Sequence, residues 1–71
     1  MKIQYFPDTD TLSIRLNNNP STESTEIAPD VVVDFDAEGA VMGLDIDLAS
    51  SKVDLKHLDL QGLLRPELLS S

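Results

Sequence analysis

The chain has 71 residues, thirteen acidic against five basic, a formal net charge of −8, one histidine and no cysteine. An acidic chain repels phosphate backbones, which argues against direct nucleic-acid binding. Without cysteine there is no disulfide or thiolate site, and a lone histidine excludes a His-based zinc site within one chain. The length allows one small domain, which buries only about 60% of its unfolded surface, so association with a second copy is the expected source of further burial.

Taken in chain order, period-two alternation dominates the first two thirds. Ile3 and Tyr5 share one face of a short first strand. Pro7-Asp8-Thr9-Asp10 is a turn, because proline presets φ and aspartates bond to nearby backbone. Leu12, Ile14 and Leu16 then alternate with Thr11, Ser13 and Arg15, as in a half-buried strand that forms a hairpin with the first. Arg15 reads as one half of a cross-strand ion pair worth well under about 1 kcal/mol if exposed. Asn17 to Ser21 is a loop, and residues 22–27 are a polar edge strand guarded by Glu23 and Glu26.

Residues 31–47 carry the strongest pattern. Val31, Val33 and Phe35 lie on one strand face, opposite Val32, Asp34 and Asp36. Ala37-Glu38-Gly39 is a tight turn in which Gly39 supplies the positive φ. Met42, Leu44, Ile46 and Leu48 then line one face of a fifth strand, opposite Val41, Gly43, Asp45 and Asp47. Gly43 inside that strand marks a bulge or a close backbone approach.

After Leu48 the period blurs. Ser51-x-x-Asp54 resembles a helix start, and a short helical turn is expected near 49–53. Gly62 and Pro66 forbid a long helix. The expected organisation is one domain over 1–64 with a flexible tail over 65–71. The fold class is α+β, mainly β: a small antiparallel sheet of about five strands built from meander-like hairpins, with a short C-terminal helical segment and one apolar face that the leucine-rich C-terminal segment covers, in its own chain or in a partner chain.

Asp34, Asp36, Glu38, Gly39 and Asp45 fall at positions 1, 3, 5, 6 and 12 of a calcium-loop pattern. The flanks are strands rather than helices, however, and Asp45 is shorter than the bidentate glutamate that the ion needs. The hairpin reading therefore prevails, with these aspartates on the solvent side of the pleat and at most weak affinity for a divalent cation. Neither a cofactor nor a catalytic residue is expected. A flat sheet offers no cleft to raise a carboxylate pKa for acid–base work, and no nucleophile motif or phosphate loop is present. Leu60, Leu63, Leu64 and Leu68 form a leucine-rich end suited to contact with another surface. No apolar run reaches the roughly 18–20 residues that span a bilayer, and the N-terminus lacks a signal-peptide core. No membrane partner is expected, and the location is cytoplasmic by default.

The series Tyr5-x-x-Asp8-x-Asp10-x-Leu12-x-Ile14-x-Leu16, then Glu26 to Asp36, then Gly39-x-Val41-x-Gly43-Leu44-Asp45-Ile46, resembles the small bacterial family of domains of unknown function 2283 over about residues 3–60. The chain departs at Phe6-Pro7, at Asp30 where glycine is common, and at Leu44-Asp45 in place of Ile-Glu. The resemblance implies a compact antiparallel β domain with no assigned site. Some members stand beside small toxin-like reading frames, which implies an antitoxin-like role. The functional expectation is a non-enzymatic interaction module, homodimeric, that binds a basic protein partner steered in by charge. A weak cation-binding hairpin and a small acid–base enzyme are the alternatives.

Overall fold

The computed structural model describes residues 1–63. Its strands are β1 (Lys2–Phe6), β2 (Thr11–Arg15), β3 (Glu23–Ala28), β4 (Val31–Phe35) and β5 (Val41–Asp47). They form one antiparallel sheet in the order β1-β2-β5-β4-β3. The expected five strands are all present, but the sheet is not a simple meander. β2 pairs with β5 rather than with β3, so residues 16–22 cross one end of the sheet to the far edge. That crossing is fastened by Leu16 N–H to the Met42 carbonyl at 2.8 Å and Thr22 N–H to the Phe35 carbonyl at 2.9 Å.

Register sorts the side chains. Ile3, Ile14, Leu44, Val33 and Thr25 stand in one row across the sheet. Tyr5, Leu12, Ile46, Val31 and Ala28 stand in another row on the same face. The opposite face carries Lys2, Arg15, Gly43, Asp34 and Ser24 in line. Two irregularities interrupt the ladders. Met42 is an extra residue opposite the Asp34–Phe35 step, and Ile27 is an extra residue between Glu26 and Ala28.

Several turns place a residue in the left-handed region, Asp10 (φ 54°) in the β1–β2 turn among them. Gly39 takes φ 81° in the β4–β5 turn, where its N–H donates to the Asp36 carbonyl at 3.0 Å. Asp30 follows Pro29 with φ 65°, the combination of a type II turn, a position that glycine takes without strain. Leu48 (φ 53°) leaves the β5 pattern altogether. It is 52% exposed rather than aligned with Leu44 and Ile46.

The expected helical segment reduces to a single 3-10 turn, Ala49–Ser51. Ser51 does not cap a following helix; its hydroxyl donates back to the Leu48 carbonyl at 2.8 Å. Residues 53–58 then run without regular structure over the β1–β2 half of the apolar face, where Val53, Leu55 and Leu58 line an open hollow with Ile3, Leu12 and Ile14. The rest of that face has no second layer among the described residues, and Val31, Phe35, Leu44 and Ile46 stay half-buried. The small core is Leu12, Val33, Met42 and Ala49. Leu64, Leu68 and the expected 65–71 tail lie outside the described residues. No helix among the described residues is long and apolar enough to cross a membrane.

Open space surrounds Gly39, so a side chain there meets no atoms, only backbone strain. Gly39→Val is expected to lower unfolding free energy by about 1–2 kcal/mol. Asp30→Gly relieves the same strain and loses only an exposed ion pair, so it is expected to leave stability unchanged or raise it by up to about 1 kcal/mol. Urea unfolding of the two variants checks both signs.

Candidate functional site

The polar face is organised by one arginine. Arg15 on β2 lies directly across from Gly43 on β5, and Gly43 lies across from Asp34 on β4. With no side chain at 43, the guanidinium passes over β5. Its Nη1 donates to Asp34 Oδ2, and its Nη2 donates to Asp45 Oδ1 at 3.0 Å and Oδ2 at 3.3 Å. The other Asp34 oxygen accepts from the Ser24 hydroxyl on β3. A methyl group at Gly43 would stand 2.6 Å from Arg15 Nη1 and 2.7 Å from the Ile14 carbonyl oxygen. The sequence expectation for this glycine was a bulge or a close backbone approach: a bulge sits beside it and the Ile14 carbonyl approaches closely, while the Arg15 side chain crossing above it was not expected.

Asp34 is therefore not on the solvent side of the pleat as expected. It is 6% exposed and joins three strands. The Ser24 hydroxyl, and after it Arg15, hold its carboxyl below the usual carboxylate range. The ion pair is also stronger than the sequence reading allowed, because one partner is buried. Sequence analysis missed this because only the β2–β5 pairing, distant in sequence, puts Arg15 and Asp34 in one row.

The four residues of the calcium-loop pattern do not converge. Asp34 and Asp45 turn to Arg15. Asp36 Oδ1 accepts from the N–H groups of Glu38 at 2.9 Å and Ala40 at 3.0 Å, closing the hairpin turn. Its other oxygen accepts from Asn19 Nδ2 at 3.2 Å. The Ala40 N–H is the main reason its carboxyl is held low. Glu38 is exposed. No group of three His, Cys, Asp or Glu side chains among the described residues is placed to hold a metal ion.

A second carboxylate, at the opposite end of the sheet, was expected as a turn residue bonding nearby backbone, and the structure gives it a larger part. Asp10, with φ 54°, accepts from the Tyr5 hydroxyl at 2.6 Å, the Ser50 hydroxyl at 2.6 Å and the Ser50 N–H at 3.0 Å. Its carbonyl also accepts from the Ala49 N–H at 2.9 Å. This aspartate fastens the 3-10 turn to the β1–β2 turn. The Ser50 and Tyr5 hydroxyls hold its carboxyl low, and the same bond raises the Tyr5 phenol. The Tyr5–Asp10 spacing was the only available signal. All three lowered carboxylates are ionised at neutral pH, the wrong direction for a general acid.

Of the leucines expected to form an interaction surface, Leu60 and Leu63 are described, 54% and 45% exposed. Leu55 and Leu58 belong with them, at 40% and 71%. This leucine strap and the half-open apolar face are the candidate functional surface.

A family model described as a protein of unknown function (DUF2283) matches residues 2–50. The chain belongs to that family, and the match takes in all five strands and most of the 3-10 turn but not the strap. No curated protein matches the chain, and no solved structure matches it.

Gly43→Ala forces either Arg15 or the Ile14 backbone to move, and is expected to destabilise by about 1–3 kcal/mol despite the better intrinsic propensity of alanine. Arg15→Met leaves Asp34 charged without its partner. With Arg15 a third exposed, a loss of about 2 kcal/mol is expected in urea unfolding. The pH dependence has a definite sign. A carboxyl held low in the folded state adds stability above its unfolded pKa of about 3.9, and that stability is lost as pH falls through the folded value. Ser24→Ala removes the largest cause for Asp34, so its acid-unfolding midpoint is expected at higher pH than wild type. Circular dichroism across an acid titration reads this out.

Proposed function

We propose that this chain is a non-enzymatic protein-interaction module that engages another protein surface through the apolar face of its sheet. The observation that carries this reading is the single-layered sheet: two largely apolar rows of side chains cross five strands, and among the described residues only 53–58 pass over one half of them. A sheet with one apolar face is stable in solution when a second layer covers it. The concrete biological form is the antitoxin-like one. A net charge of −8 draws in a basic partner, and the carboxylates of the far face and the turns supply the attraction.

The test compares two baits in a native lysate, wild type and a Leu58→Glu, Leu63→Glu double variant. These strap leucines are exposed and the substitutions leave the strands intact, so both baits are expected to fold alike by circular dichroism. The wild type is expected to retain proteins that the variant loses. Identical retained sets, or none, would sink the proposal.

A further inference from the structure

We infer that the occupant of the apolar face is a second copy of this chain, packed face to face about a two-fold axis parallel to the strands. This rests on the reading above that the apolar face engages a protein surface, and it takes a second copy in place of a basic protein as the occupant.

Charge is the first argument. The two rows from Ile3 to Thr25 and from Tyr5 to Ala28 contain no charged side chain. Glu23, paired with Phe35, stands only at the outer corner. Strand residues Glu26, Asp34, Asp45 and Asp47 are on the other face. Across residues 52–63, Lys52 and Lys56 balance Asp54 and Asp59. A molecule with a net charge of −8 therefore presents a neutral docking face. A basic partner needs acidic complementarity where it docks; a neutral apolar face matches another of its kind without repulsion.

Shape is the second argument. Five strands about 4.8 Å apart make a face about 24 Å wide, whereas one extended segment covers little more than a strand's width. A second sheet about 10 Å away covers the whole face. The strap lies over the β1–β2 half, leaving Val31, Phe35, Leu44 and Ile46 half-covered. A two-fold axis along the strands exchanges the halves. Each copy's Leu55 and Leu58 then meet the other copy's β4–β5 half, so the same patch serves both sides, as a closed dimer requires.

The experiment measures mass by light scattering and sedimentation over a dilution series of the full chain. In parallel, a soluble paramagnetic agent reads solvent access to the Leu44, Ile46 and Val31 methyls. Wild type is expected to be a dimer with shielded methyls. Leu55→Glu and Leu58→Glu are each expected to weaken it by roughly tenfold or more while keeping the strand spectrum. A wild-type monomer with accessible methyls overturns the second copy but leaves the interaction reading standing. A monomer with shielded methyls means that the chain covers its own face, and overturns both. A dimer indifferent to both substitutions assembles through another surface, such as a sheet edge, and also overturns the inference.

Discussion

Arg15 reaches across β5 to a carboxylate on β4, and much of the sheet's order depends on that reach. The β1–β2 hairpin joins the β3-β4-β5 meander only along the β2–β5 ladder. A ladder alone fixes neighbouring strands; the guanidinium adds a charged tie to the strand beyond. Its route requires glycine at 43, and its end point requires a carboxylate that is itself held by Ser24 on the edge strand. One row, read from Arg15 through Gly43 and Asp34 to Ser24, thus links four strands. Because Asp34 is buried, removing its partner leaves a charge that water cannot fully reach, and the link is worth more than an exposed pair.

The ends of the sheet use the backbone instead. Asp10, Asp30 and Leu48 all adopt left-handed φ values, and all lie where the β1–β2 turn, the β3–β4 turn and the exit from β5 meet. Their strain is offset by bonds that tie these segments together: Asp47 N–H to the Asp30 carbonyl at 2.8 Å, Lys52 to Asp30 at 3.1 Å, and the three donors on Asp10. At the other end Asp36 closes its own hairpin and holds Asn19 of the crossing loop. Asp10, Asp34 and Asp36, which looked like part of a loose acidic surface, are each occupied by specific donors. This occupation lowers their pKa values and separates them from one another, which is why they make a scaffold rather than a cluster.

With its polar side chains tied to one another in this way, the sheet carries its apolar residues on the other face. That face is neutral, apolar and covered over one half by the chain that follows the 3-10 turn. The strap lies beyond the matched family region, so the sheet is the shared part, and the strap is where this chain supplies its own contribution to whatever the face contacts.

The local features were legible in the amino-acid sequence because they depend on near neighbours. Alternation placed all five strands, Gly39 marked the β4–β5 turn, and Glu23 and Glu26 marked the edge. What it could not carry was pairing between residues far apart along the chain. The choice of β5 over β3 as the neighbour of β2 turned a meander into a crossed sheet. It also turned Asp34 from a solvated carboxylate into a buried one, and Gly43 from a generic strand glycine into the passage for Arg15. The 3-10 turn likewise depends on Asp10, nearly forty residues earlier, and not on the Ser51-x-x-Asp54 pattern beside it. The sequence by itself determined which segments extend and, apart from Met42 on β5 and Leu48 after it, which side of each is apolar, since side-chain alternation is a property of a single strand. Only the tertiary structure decided which polar residues meet, since a cross-strand row exists only once the strand order is set.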